Sequence, residues 1–438
     1  MANPVSRLWN VPELKDKILF TLMALLVYRV GAHITAPGLD VRVLEQQFGQ
    51  FGNTLFGVYD MFVGGALSRA TVFSLGIMPY ISASIMFQLL AAVFPTVEKM
   101  QKEGEEGRKK LTQWTRYATV ALAFGQAYGY AVFLQGTNAV LWPGFLFLMS
   151  TALIMTAGAI FVMWLGEQIT DRGVGNGASL LIFFSIIEGF PGALAATFES
   201  LGAGVINVIQ LVILGVVMIL VIAGTVAMTM AARRLPVQIP RKVMGRGRIR
   251  EGQKSFIPLR INSAGVMPII FAQSIIIVPG TLAAFISDEG WIGAFARTFQ
   301  PGTWPYYLTY TILIVFFSYF YTAIVFNPVD LAENLKKQGA FIPGVKPGRH
   351  TAEYIDDVLS KVTVVGAAFL AAIALLPFFV FDWLDMPMLF FFGGTSLLIV
   401  VGVALDTVNQ MQQHLLLRHY EGFMKKGRVR FRGRQRYM

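Results

Sequence analysis

Side chains able to make or break bonds are few in this chain, and their spacing argues against catalysis. The four histidines, His33, His350, His414 and His419, stand far apart, with no HExxH pattern to hold a metal. There is no cysteine, which removes disulfides, thiolate metal sites and thiol nucleophiles together. The glycines at 104–107 run into RKKLT without the spacing of a phosphate-binding loop, and no GxSxG elbow occurs. These absences describe a protein that is not an enzyme, with no cofactor.

What recurs instead is apolar. Residues 74–81 read SLGIMPYI, and 263–270 read SAGVMPII; GASLLI at 177–182 returns as GTSLLI at 394–399. Each phrase closes on an isoleucine: Ile81, Ile270, Ile182 and Ile399. Ile85 and Ile186 follow two of them by four residues, which puts them on the same helix faces. Around a common axis such side chains form an apolar collar that closes a pore by dewetting and deforms around a large, variable substrate. Packing is the plainer role of any one isoleucine; their ordered recurrence is what favours the collar.

The elements that must position them follow from composition. The chain is 55% apolar and only 14% charged, with mean hydropathy +0.59. Soluble domains carry roughly a quarter charged residues, so the deficit points to a bilayer. Ten apolar stretches stand out, at about 18–36, 72–94, 117–134, 145–166, 177–190, 205–231, 264–286, 306–326, 362–381 and 388–406. The fifth is short for a crossing, so its helix is expected to begin earlier or to tilt. The first is long and runs into TAPGLD, which fits a retained helix better than a cleaved signal.

Charge then assigns sides. All but four of the 36 basic residues (Arg29, Arg42, Arg69 and Arg297) fall in 1–17, 95–116, 167–176, 232–263, 327–361 and 407–438. The positive-inside rule makes these segments cytoplasmic, both ends included. The proline phrases then open the second and seventh spans on oppositely directed helices. The fold expected is an all-α polytopic membrane protein, with ten transmembrane helices in two inverted five-helix halves around a central pore. The halves are 1–204 and 205–406, followed by a basic cytoplasmic tail at 407–438.

Within the spans only Arg29 and the terminal Glu188 and Asp406 are charged, whereas ion-coupled transporters keep ionisable groups at depth. Arg29 is placed to snorkel toward the outer interface. Gln88, Gln126, Gln210 and Gln273 are single amides suited to helix–helix hydrogen bonds. Residues 55–70, LFGVYDMFVGGALSRA, are too apolar for a free loop. Two arrangements suit them: an amphipathic turn on the surface, or a short re-entrant helix broken near Gly64 and Gly65 that stops the outer half of a pore.

Two cytoplasmic segments look like a landing site. Segment 232–263 carries nine basic residues, Arg241, Lys242, Arg246, Arg248, Arg250 and Lys254 among them, against the single acid Glu251. Such a run attracts nucleic acid or anionic lipid, and its GRGR glycines suit the turn of a protruding hairpin. Beyond Asn327, a helix cap, Pro328 opens a helix that Lys336, Lys337 and Gly339 end. GVKPG at 344–348 makes an exposed bend carrying Lys346 next to Arg349, before Thr351 caps the following helix. The tail KKGRVRFRGRQRYM adds charge without recognisable order.

Four strings, GGALSRATVFSLGIMPYISASI, MWLGEQITDRGVGNGASL, FNPVDLAENLKKQGAFIPGVKPG and FGGTSLLIVV, closely resemble the bacterial SecY family, the central subunit of the protein-translocation channel. The likeness runs over nearly the whole chain. It implies an hourglass channel in the cytoplasmic membrane, hinged on one side and opening laterally between spans two, three, seven and eight, three of which carry Gln88, Gln126 and Gln273. It implies a pore ring of Ile81, Ile85, Ile182, Ile186, Ile270 and Ile399. The plug it implies lies at 55–70, with Phe56, Tyr59, Met61, Phe62, Gly64, Gly65 and Leu67. The loops 232–263 and 331–358 match surfaces used by the ribosome, with its rRNA, and by the SecA motor. SecE and SecG are the implied membrane partners, secretory preproteins with their signal sequences the substrates. One departure stands out: the family's bend reads G-x-R-P-G, and Lys346 replaces the arginine with a point charge that lacks the bidentate fork. Two rival functions share the charge pattern: a secondary transporter with inverted five-helix repeats, and a ribosome-docking scaffold that conducts nothing.

Overall fold

The computed structural model describes residues 12–48, 55–137, 139–239, 242–244, 248–250, 254–262, 264–286, 298, 302–383 and 394–426. Each of the ten apolar stretches contains a helix. In chain order these are α1 (Pro12–Gly31), α4 (Met78–Val93), α6 (Glu105–Gln135), α7 (Phe145–Arg172), α8 (Gly177–Gly202), α9 (Val208–Met230), α10 (Met267–Ile286), α11 (Trp304–Val325), α13 (Arg349–Trp383) and α14 (Gly394–Lys426). Between them lie the shorter α2 (Val41–Phe48), α3 (Leu55–Val63), α5 (Pro95–Lys102) and α12 (Pro328–Gln338). Among the described residues, six helices are long and apolar enough to cross a bilayer, or seven when α4 is joined to α5 across its 110° bend.

Local sequence explains the ends. Phe94 is extended before Pro95, which cannot continue the ladder of α4, so the chain turns sharply into α5. Asn176 caps α8, its side chain accepting from the Ser179 amide at 3.2 Å. The fifth span does not begin earlier, as its short apolar run suggested; it starts at Gly177 and continues through Pro191 to Gly202. Gln210 also serves as a cap: its Oε1 accepts from the Asn207 amide at 2.8 Å and closes a capping box at the start of α9. α14 runs on to Lys426, and the rest of the stretch KKGRVRFRGRQRYM lies outside the described residues.

The repeated phrases fold alike. Gly76 and Gly265 both adopt left-handed backbone, at φ 53° and 63°, and both following helices begin on the Met-Pro of the phrase. Likewise α8 and α14 each begin on the glycine that opens GASLLI or GTSLLI. Packing repeats in the same order. In the first set α1 packs on α7 and α8, while α4–α6, α6–α7 and α7–α8 are neighbours; in the second α9 packs on α13 and α14, while α10–α11, α11–α13 and α13–α14 are neighbours. The sets meet through equivalent helices, α4 on α10 and α8 on α14.

Close approach is set by small residues. A Cβ on Gly158 of α7 would land on the carbonyl oxygen of Val72, and one on Gly177 would land on that of Gly166. By contrast a Cβ on Gly125 of α6 would meet open space. Gly158→Val is therefore expected to destabilise the chain by about 1–3 kcal/mol through overpacking. Gly125→Ala is expected to leave the chain equally or more stable, since alanine is the better helix former. The two unfolding midpoints, measured in one detergent, check this contrast.

Candidate functional site

The six isoleucines come from four helices. Ile81 and Ile85 lie on α4, Ile182 and Ile186 on α8, Ile270 on α10 and Ile399 on α14; all are buried in the main apolar cluster. A cavity of about 370 Å³ is lined by Ile81, Ile182 and Ile270 together with Met267 and Phe271. Polar side chains line it too, with Ser84, Gln88, Thr112, Arg116, Glu167 and Asn176. The Arg116 guanidinium donates to both Glu167 oxygens, at 2.9 and 2.7 Å, and so ties α6 to α7 in the cavity lining. The cavity thus brings three of the isoleucines together with polar and charged side chains. Ile85, Ile186 and Ile399 do not line it.

The three gate amides behave differently from one another. Gln273 is buried and hydrogen-bonded with the Tyr306 hydroxyl, joining α10 to α11. Gln88 instead donates to Ser84 within its own helix, at 3.1 Å. The buried Gln126 finds no hydrogen-bond partner among the described residues. The expectation of helix–helix bonds therefore holds for Gln273 alone. α10 lies against both α4 and α6.

Residues 55–70 fold as the re-entrant arrangement requires. α3 packs on α8 and α10 and ends at Gly64 and Gly65, whose φ values of 71° and 73° reverse the chain. Phe56, Tyr59, Met61, Phe62 and Leu67 are all buried in the same cluster as the isoleucines. Irregular backbone beyond the turn is held by side chains. Asp60 accepts from the Leu67 and Ser68 amides at 2.9 Å each; Tyr59 donates to the Leu75 carbonyl at 2.9 Å and Tyr130 to that of Leu67 at 2.6 Å. These polar holders went unnoticed in the sequence, although Asp60 four residues ahead of a glycine pair was the visible signal. The ion pair between Arg29 of α1 and Glu188 of α8 was missed too; the arginine does more than snorkel.

The segment 232–263 is the expected hairpin. β1 (Ala232–Gln238) pairs antiparallel with β4 (Lys254–Arg260), and β2 (Lys242–Met244) with β3 (Arg248–Arg250). Lys242, Arg248, Arg250 and Lys254 are strand positions, whereas Arg241 and Arg246 lie outside the described residues. The hairpin and the next loop share a small core of Leu235, Val237, Leu259, Leu335, Ile342 and Ile355. Gln238 and Phe341 exchange backbone hydrogen bonds at 2.9 and 3.0 Å across it. Asn327 caps α12 by accepting from Val329, and Gly339 ends that helix at φ 71°. Lys336, Lys337, Lys346 and Arg349 are exposed. Thr351 is not a cap: α13 starts at Arg349, and the threonine hydroxyl donates to the Lys346 carbonyl at 2.9 Å, bracing the bend.

A family model named SecY matches residues 71–408. The chain is 46% identical to the protein translocase subunit SecY of Pseudomonas aeruginosa, over 96% of this chain and 95% of that one. It is 44% identical to the Escherichia coli subunit over 96% of each chain, and 42% identical to that of Aquifex aeolicus over 97% of this chain and all of the other. Among solved structures it resembles a protein-conducting channel with TM-score 0.64 and 18% identity, covering 94% of this chain and 97% of that one. A second likeness is to Sec61 in the canine ribosome–channel complex, with TM-score 0.61 and 18% identity over the same shares.

Two outcomes are expected from these contacts. Asp60→Ala removes both carboxylate bonds, each worth about 1.5–3 kcal/mol, so hydrogen exchange at the Leu67 and Ser68 amides should rise by about tenfold or more. The exposed Glu353 carboxyl is held below its ordinary range by the Arg349 hydrogen bond. The lowered value means the contact is present above the ordinary carboxylate pKa and lost as pH falls through the depressed one. An NMR titration should show the Glu353 midpoint rising in Arg349→Ala.

Proposed function

The chain belongs to the SecY family of protein translocase subunits, and from that premise we propose how its residues serve polypeptide passage. The protein is a multi-pass membrane channel that conducts polypeptide, and it is not an enzyme. In our reading it is one passive pore made of the halves 1–204 and 205–406, lying in the bacterial cytoplasmic membrane with both termini and the tail 407–438 in the cytoplasm. An unfolded secretory chain enters the cavity, displaces α3 and the turn after it, and threads Ile81, Ile85, Ile182, Ile186, Ile270 and Ile399. Apolar side chains close around it without making fixed bonds, so one ring serves many sequences. Sufficiently apolar segments leave between α4 and α6 on one side and α10 and α11 on the other, past Gln88, Gln126 and Gln273.

The observation that supports this reading is the cavity itself: Ile81, Ile182 and Ile270, from three different helices, line it together. No specific observation favours a transporter or a non-conducting scaffold. The motive force comes from partners. The braced platform of the hairpin and α12, with Lys336, Lys337, Lys346 and Arg349 exposed, would receive a ribosome through its rRNA or the SecA motor. Lys346 supplies charge there but no bidentate geometry. SecE and SecG would pack on the lipid-facing helices, and anionic lipids would meet the basic loops.

Since the chain has no cysteine, single cysteines report cleanly. Cysteines replacing Ile81, Ile270 and Ile399 should crosslink to a secretory chain stalled in transit and carrying its own cysteine, while controls at the exposed Leu153, Ile219 and Phe316 should not. Silence at all three ring positions, with capture only by platform cysteines, would make the protein a docking platform and refute the pore.

A further inference from the structure

Tyr28 of α1 is buried beside the end of α3, and its ring is fixed by stacking on Phe73 at 5.9 Å. Its hydroxyl has two partners: the Ser185 Oγ of α8 at 2.9 Å, and the Val63 carbonyl at the end of α3 at 3.4 Å. One phenolic proton cannot serve both acceptors. Ser185 also has a choice, for its hydroxyl lies 2.9 Å from the Leu181 carbonyl of its own helix.

We propose that Tyr28 and Ser185 exchange hydrogen bonds as the plug leaves, and that this exchange sets how apolar an arriving segment must be to open the channel. The proposal rests on the plug reading of residues 55–70. With the plug in place, Ser185 donates to the Tyr28 oxygen and Tyr28 donates to Val63. With the plug gone, Tyr28 donates to Ser185 and Ser185 turns to the Leu181 carbonyl. Both hydroxyl protons are used in each arrangement, so departure strands no buried donor, which would otherwise be costly. The pair stays in register because Arg29, adjacent to Tyr28, is ion-paired with Glu188, three residues beyond Ser185. The plug's own contribution is slight in bulk: a Cβ on Gly64 would come within 3.3 Å of the Ser185 Cα, so the glycine lets Val63 approach.

The exchange gives the two hydroxyls opposite effects, which a purely structural role would not. Tyr28→Phe removes the bond that holds Val63 and eases opening. Ser185→Ala leaves the Tyr28 hydroxyl with Val63 as its one acceptor, so opening strands it and becomes harder. The double variant has no hydroxyl to strand and follows Tyr28→Phe.

The test uses the full chain in its translocation complex in membrane vesicles, with Val58→Cys on the buried face of α3 as reporter. A membrane-impermeant maleimide added from the outer side reads plug displacement when segments graded from leucine to alanine arrive. At a borderline segment, Tyr28→Phe is expected to label about five-fold faster and Ser185→Ala about five-fold slower. Ser185→Gly, which removes the same hydroxyl by another route, is expected to move with Ser185→Ala. Shifts of both single variants in one direction, or no shift in either, would overturn the exchange. Absence of labelling even in the chain altered only by Val58→Cys would refute the plug reading, and the exchange with it.

Discussion

A bilayer offers no water to an unpaired peptide group, and the whole arrangement depends on that. Helices satisfy their own backbone, but the stretch from Gly64 to the start of α4 is turn after turn at the centre of the protein. Each orphaned group there would cost several kcal/mol, so protein side chains take the place of water. Asp60, Tyr59 and Tyr130 do this within and beside the re-entrant segment. The irregular backbone exists because these holders exist, and it can move as far as they allow.

The pore obeys the opposite rule. In the proposed ring, isoleucines offer no hydrogen bond, so a constriction of them would reject water without selecting among polypeptides. The ion pairs Arg116–Glu167 and Arg29–Glu188 instead join helices, α6 to α7 and α1 to α8.

Much of this was legible in the sequence because it rests on runs and repeats. Apolar length marked where helices would lie, and the two phrases ending in Ile81 and Ile270 marked two helices that begin alike. Their glycines proved to share a left-handed conformation, which only a duplicated turn explains simply. What escaped notice depends on pairs distant along the chain. Tyr28 with Ser185, and Arg29 with Glu188, are separated by more than a hundred residues, and no periodicity links them. Gln210 was read as a bridge between helices, and its capping bond to Asn207 went unnoticed. The fifth span runs longer than its apolar stretch because its helix continues through Pro191 to Gly202.

The small core beneath the hairpin has a mechanical meaning. β1 leaves the end of α9 and β4 leads into α10, while α12 sits between α11 and α13, so four helices are rooted in one sheet-and-helix block. The backbone bridge between Gln238 and Phe341 ties the block's two loops into a single stiff body. A push or twist delivered at either loop is thus borne as torque on those four helices together, and the block acts as a handle.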